Sequence, residues 1–214
     1  GKGLDIHHSI TDPQAWTTYQ YAMLELARTA APIVARLVPV PSGAKCLLDL
    51  GGGHGLFGAT ICRRHPPLRS IVLDLPSALE PARQLARKVG IDDIVEYRAA
   101  NLLEDSLGQG ADVVLLSNIV HHFSPEQNAD LLIRVYSAMN PGGTVAIWDS
   151  ERRPPNARAE VASDAASLYF RLTSTSQVTT AKEYETWLRN AGFLQVRSRR
   201  SLRAPVNIMT IGKR

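Results

Sequence analysis

Leu47-Leu48-Asp49-Leu50-Gly51-Gly52-Gly53-His54-Gly55, read together with Val72-Leu73-Asp74-Leu75-Pro76 downstream, decides the fold. In the first stretch an apolar run breaks off into glycines, and a new apolar-periodic segment starts at Leu56. That order spells strand, tight turn and helix, the opening unit of a βαβ fold. Glycines lack a Cβ, so the backbone can pass close beneath a ligand, and the following helix presents unpaired N–H groups there. The second stretch ends an apolar run in Asp74, 19 residues beyond Gly55. A carboxylate about 20 residues past such a turn suits the two hydroxyls of a ribose. Turn and acid together predict a pocket for an adenosine-type ligand. The bland alternative is a glycine turn flanked by two solvated aspartates.

Gly53, Gly55 and Gly58 match G-x-G-x-x-G, a pattern of dinucleotide sites that is weak when it stands alone. Asp49 argues against a dinucleotide. It stands two residues before the first glycine, where a carboxylate repels a pyrophosphate and attracts an ammonium or sulfonium. S-adenosylmethionine, with adenosine at one end and an amino acid at the other, fits both aspartates.

Working outward, strands alternate with helices. Strands are expected at 45–50, 70–74, 94–98, 112–117 and 144–149, and helices at 56–65, 78–89 and 125–139. Gly90 stops the second of these helices, and Ser124 with Gln127 three residues on begins the third. The pattern predicts an α/β, doubly wound, mostly parallel sheet with its ligands at the carboxyl ends of the strands. Before it, residues 13–37 read as a helix, with Trp16, Tyr19, Met23, Leu26, Ala30, Ile33 and Leu37 at three- and four-residue steps. After it come helices at 157–172 and 182–190, then two strands, 193–198 and 206–211, that can pair as a hairpin at the sheet edge. The division expected is 1–40 as an N-terminal helical segment covering the acceptor side, and 41–214 as the cofactor-binding domain.

Composition sets ordinary bounds. At 214 residues with 44% hydrophobic content, the chain suits one large α/β domain with a buried core. A net charge of +4 is modest and dispersed, and the basic run at 197–203 reads as the wet face of a late strand, so no nucleic-acid partner is expected. Cys46 and Cys62 lie in apolar elements and read as reduced thiols, not a disulfide framework. With no stretch of ~20 apolar residues and no leader-like N-terminus, the expectation is a cytoplasmic protein without a membrane partner. His7 and His8 are adjacent, a poor spacing for chelation, and no metal site is expected.

LLDLGGGHG at 47–55, VLDLP at 72–76, SNIVHHFS at 117–124 and NPGGTVAIWDS at 140–150 resemble the successive motifs of class I methyltransferases. The likeness is closest to small-molecule O-methyltransferases of the caffeic-acid and hydroxyindole type, and runs from about Asp12 to the C-terminus. It implies a Rossmann-like, seven-stranded sheet with a C-terminal antiparallel hairpin, S-adenosyl-L-methionine as cofactor, and methyl transfer to a hydroxyl of a small aromatic or polyketide-like acceptor. Asp49, Gly51, Gly53, Asp74, Leu75, Asn101, Leu102, Ser117 and Phe123 would then hold the cofactor. Asn101 stands where such enzymes carry an acid beside the adenine, and Ser117 where they carry a lysine for the methionine carboxylate. Tyr19 and Met23 would line the acceptor pocket, as would His122. On periodicity alone, Tyr19 and Met23 read equally well as core residues. Gln20 replaces the asparagine of an aromatic-Asn-x-x-Met signature.

His121 matches the histidine that acts as general base in this family. The methyl group on a sulfonium is already activated, so the protein has to align two reactants and remove the acceptor's proton. Imidazole suits that work, since its ordinary pKa lies near neutrality. Asp149, 28 residues on and at the end of the adjacent strand, is placed to fix its tautomer. The family's second carboxylate falls at Val178, with Gln177 the only polar neighbour. Enzymes of this type usually carry an N-terminal winged-helix segment that makes a dimer. These residues leave no room for one, so the expectation is the catalytic part of a longer protein, homodimeric once that segment is present. Two alternatives stay open: a nitrogen or carbon acceptor with His121 incidental, and a degenerate nucleotide-binding module without turnover.

Overall fold

The computed structural model describes residues 12–157, 159–173 and 178–214. His7, His8 and Gln177 lie outside the described residues. The chain begins with α1 (Pro13–Leu37), then alternates through β1 (Cys46–Leu50), α2 (Leu56–Arg64), β2 (Arg69–Asp74), α3 (Pro76–Val89), β3 (Val95–Ala99) and β4 (Ala111–Ser117). A 3-10 turn (Val120–His122) leads into α4 (Pro125–Ala138) and β5 (Met139–Ser150). The last third adds α5 (Glu160–Thr173), α6 (Ala181–Asn190), β6 (Leu194–Ser201) and β7 (Ala204–Lys213).

Seven strands form one sheet in the order β3-β2-β1-β4-β5-β7-β6. The first five in that order run parallel, while β7 lies antiparallel to both β5 and β6. The strand order reverses between β1 and β4, the crevice in which open α/β sheets bind ligands.

Side chains on successive strand residues point to opposite faces, so β4 and β5 feed two separate cores. Val114, Leu116, Val145 and Ile147 pack under α4 and α6 against Leu131, Leu132, Val135, Tyr184 and Leu188. Val113, Leu115, Ala146 and Trp148 pack on the other face under α1 and α2, against Ala31, Val34, Phe57 and Ile61. α3 closes a smaller cluster through Leu79, Ala82 and Ala86 against Ile91, Val95 and Tyr97. Each such leucine or isoleucine removed from water contributes about 1.5–3 kcal/mol.

Helix starts follow local chemistry. Asp12 caps α1, accepting from the Gln14 N–H at 2.9 Å. α4 opens with the expected capping box between Ser124 and Gln127. α3 begins at Pro76, two residues before the expected start, because proline is tolerated in a first turn whose N–H groups have no partner anyway. β5 begins at Met139, where an irregular register pairs it with Ala111 ahead of the expected glycine turn.

α1 differs from its sequence pattern in one way that matters. Its buried face is Trp16, Gln20, Leu24, Ala27, Ala31 and Val34. The neighbouring stripe of Tyr19, Met23, Leu26, Ala30 and Ile33 faces a cavity, and Leu26 is 66% exposed. The helix therefore carries two adjoining apolar stripes, and the periodic set straddles them: Trp16 is core, Ala30, Ile33 and Leu37 pack partly against it, and Tyr19 and Met23 face the cavity. Among the described residues no helix is long and apolar enough to cross a membrane.

Candidate active site

The glycine turn is built for close approach. Gly51, Gly53 and Gly55 all have positive φ, at 62°, 51° and 77°, a region that costs other residues about 1–2 kcal/mol. The Gly51 N–H donates to the Leu73 carbonyl at 2.8 Å, tying the turn to β2. Asp74, at the end of β2, accepts from the Gly53 N–H and the Leu75 N–H, both at 2.8 Å. Burial raises the pKa of this carboxyl in spite of those two donors.

Asp49 holds the turn from below. Its side chain is fully buried and accepts from the Gly58 N–H at 3.1 Å, while Oδ1 has no hydrogen-bond partner. A Cβ on Gly52 would come within 2.6 Å of the Asp49 carboxyl carbon, so only glycine fits over the acid. Burial, partly opposed by the Gly58 N–H and added to by the nearby Asp74, pushes the Asp49 pKa up to about 7. His54 links the turn to α1. Its Nδ1 accepts from the Leu56 N–H at 3.1 Å, and the Met23 backbone takes the ring's other hydrogen bond. Burial pushes the His54 pKa down to about 4.

A cavity of about 730 Å³ opens above the turn. Gly51, Gly53, Asp74, Leu75, Asn101, Leu102, Ser117 and Phe123 all line it, and so do Tyr19, Met23, His121 and His122. Asp49 does not: it sits one layer beneath the turn, so its carboxylate can act on a ligand only through the intervening backbone. Asn101 is engaged locally, its Oδ1 accepting from the Leu103 N–H at 3.1 Å. Burial, with Asp74 and Tyr169 adding to it, holds the Tyr19 hydroxyl well above its ordinary pKa and therefore protonated.

β4 and β5 bring His121 and Asp149 together. Asn118, in the left-handed region at φ 53°, turns the chain sharply as β4 ends, a conformation asparagine tolerates better than most residues. The 3-10 turn that follows folds over the end of β5. Its Val120 and His121 N–H groups donate to Asp149 Oδ2 at 3.1 and 3.4 Å. Asp149 Oδ1 takes the Ser150 N–H at 2.7 Å and meets His121 Nδ1 at 2.6 Å. Every neighbour of this carboxylate is a donor, so the proton of the pair sits on Nδ1 and Nε2 is the ring's acceptor. Both residues are buried.

Phe170, from α5, lies over the His121 ring with centroids 3.7 Å apart and an interplanar angle of 36°. A phenyl face this close restricts the imidazole and attracts it once protonated. Nothing in the sequence pointed to Phe170, because α5 follows β5 and reaches His121 only through tertiary folding. Gln20, named only as the replacement in the aromatic-Asn-x-x-Met signature, was given no role, although a polar residue in the buried stripe of an amphipathic helix is a readable signal. Val178, at the position of the family's second carboxylate, is buried. Its neighbour Thr179 accepts from the Arg152 N–H at 2.8 Å. Nearby, Glu151 is clamped by Arg200 at 2.8 and 2.5 Å and by Arg153 at 3.1 Å.

Comparison with known proteins bears on this arrangement. A family model described as an O-methyltransferase domain matches residues 3–194. A 3-hydroxy-5-methyl-1-naphthoate 3-O-methyltransferase from Streptomyces sahachiroi is 33% identical over 161 residues, which are 73% of this chain and 45% of that protein. A tetracenomycin polyketide synthesis 8-O-methyl transferase from Streptomyces glaucescens is 32% identical over 71% of this chain and 44% of that protein. Among solved structures, an O-methyltransferase family protein from Burkholderia thailandensis superposes with a TM-score of 0.84 at 25% identity, covering 99% of this chain and 63% of that one. The chain thus spans about half the length of the relatives it matches.

Proposed function

This chain belongs to the O-methyltransferase domain family, and from that premise we propose that it transfers a methyl group from S-adenosylmethionine to a hydroxyl of a small aromatic or polyketide-like molecule, with His121 as general base. The observation that carries the reading is His121 on the wall of the cavity, paired at 2.6 Å with the buried Asp149 behind it.

The cavity fits the cofactor. The three positive-φ glycines form a shallow cradle, and Asp74 stands at the strand end where a ribose diol would be met. Leu75, Asn101, Leu102 and Phe123 would bracket the adenine, and Gly51, Gly53 and Ser117 would lie along the rest. When bound, S-adenosylmethionine supplies a methyl group already activated by the positive sulfur.

The chain's own residues do the rest. His121 Nε2 accepts the proton of the acceptor hydroxyl as its oxygen becomes the nucleophile. Asp149 keeps the ring in the tautomer in which Nε2 is the acceptor, and its negative charge stabilises the imidazolium. Phe170 covers one face of the ring and keeps water from it. Tyr19, Met23 and His122 hold the acceptor, with α1, the described part of the 1–40 segment, covering that side of the 41–214 domain. A homodimer assembled through a segment outside these residues belongs to the same reading; Val161, Leu168 and Leu172 on α5 are exposed apolar side chains such a segment could cover.

The test is methyl transfer from labelled S-adenosylmethionine to a panel of hydroxynaphthoates and phenols. His121→Ala is expected to lower kcat about 10²–10⁴-fold and to leave S-adenosylhomocysteine affinity unchanged. Transfer that persists in His121→Ala to within about threefold would move the acceptor to nitrogen or carbon and make the histidine incidental. No turnover of any acceptor, with S-adenosylhomocysteine still bound, would favour the degenerate module.

A further inference from the structure

A second cavity, of about 400 Å³, opens where the chain leaves β5, and it shares no lining residue with the larger one. The Glu151–Thr179 bridge and the bond from the Arg152 N–H to the Thr179 carbonyl, at 2.8 Å, hold two segments side by side there. Four cations line it: Arg152 and Arg153 after β5, Lys182 in the first turn of α6 and Arg200 on β6. Like charges gathered from three elements repel one another and need counter-charge. Glu151 supplies one, and both its oxygens are spent on Arg200 and Arg153. Glu183 lies 3.5 Å from Arg152, but it closes the α6 capping box through Thr180 at 2.6 and 2.9 Å. No other carboxylate among the described residues pairs with these four cations, which leaves two positive charges without a counter-charge. The buried Arg153 Nε–H also has no acceptor in hydrogen-bonding geometry.

We propose that this cavity is a phosphate-binding site, separate from the methyl-transfer centre. A phosphate group carries about −1.5 to −2 charges near pH 7 and three strong acceptor oxygens, which matches the charge left over; a carboxylate would cancel only half of it. Guanidinium forks suit phosphate oxygens and a lysine adds a point charge, so the donor set fits as well as the charge. These four side chains converge on one space, unlike the exposed Arg197 and Arg199 of β6, which lie outside it. The cavity is larger than a bare phosphate, and Pro154 and Pro155 give it apolar surface beside the cations. The ligand is therefore a phosphate, either free or at the end of a small organic molecule that those prolines touch.

Phosphorus NMR titration of this chain tests the site, with inorganic phosphate and phenyl phosphate as probes and sodium chloride holding the ionic strength constant. Saturable binding is expected, and Lys182→Gln and Arg152→Gln should each weaken it about five- to tenfold. Both side chains are exposed, so neither replacement threatens the fold. Arg197→Gln, which removes a cation of β6 outside the cavity, should leave affinity within about twofold. Tighter binding of phenyl phosphate would assign the site to a phosphorylated small molecule, and equal or weaker binding to free phosphate. Failure of both probes to saturate would overturn the inference, as would unchanged affinity in both cavity variants. Equal weakening by Arg197→Gln would overturn it as well, since the attraction would then belong to diffuse surface charge.

Discussion

Asp49→Asn should make the protein more stable above neutral pH while making its cofactor site worse. The carboxylate is fully buried, has one donor in the Gly58 N–H and leaves Oδ1 without a partner. Burial accordingly raises its pKa from the ordinary 3.8 to about 7. Because the folded-state pKa lies above the unfolded one, the native state binds this proton more tightly. The stability it contributes is present below pH ~4 and is lost as pH rises through about 7. The interval corresponds to roughly 4 kcal/mol at most. Asparagine has the same shape, keeps a carbonyl for Gly58 and carries no charge. For a domain of this size each kcal/mol shifts Tm by about 2–4 °C, so the variant should melt up to about 16 °C above wild type at pH 8 and nearly level with it at pH 4. Circular dichroism melts between pH 4 and 9 measure this directly. The same variant should lose affinity for cationic S-adenosylmethionine more than for S-adenosylhomocysteine, whose sulfur is uncharged, because the negative charge under the turn is gone. A variant Tm at pH 8 equal to or below that of wild type would refute the reasoning.

Two further outcomes follow from the same geometry. His54, with a pKa pushed down from 6.5 to about 4 by burial, contributes stability that is present above pH 6.5 and lost as pH falls toward 4. His54→Gln should flatten Tm across that window and cost about 1 kcal/mol at neutral pH through the lost Leu56 bond; an unchanged slope would show that the histidine titrates normally. Asp149→Asn sets an NH₂ against a backbone donor in either orientation of the amide, since both oxygens accept N–H groups. kcat should fall about 10²–10⁴-fold with S-adenosylhomocysteine affinity intact, and near-wild-type turnover would remove Asp149 from the mechanism.

Much of this protein was legible along the chain. Glycines 51–55, the acid at 74, the apolar run at 112–117 and the His121/Asp149 interval are local or strand-end signals. Strand ends in a parallel sheet fall on one edge by topology alone, so their convergence could be foreseen. Other features depend on which side of an element faces what. Periodicity showed that α1 is amphipathic but not which of its two apolar stripes is core; contact with α2 and α3 decided that, leaving Tyr19 and Met23 at the cavity. Asp49 was expected in the cavity wall and lies beneath the turn, because alternation along β1 points its side chain under Gly52 and not over it. Phe170 meets His121 only because the chain after β5 folds back across the sheet edge. Sequence by itself determined the order of elements, the switch point and the meeting of His121 with Asp149, since these rest on backbone periodicity and strand polarity. Tertiary structure alone decided burial and facing, and with them which polar atoms remain unpaired at the turn, because those depend on contacts between residues that no spacing encodes.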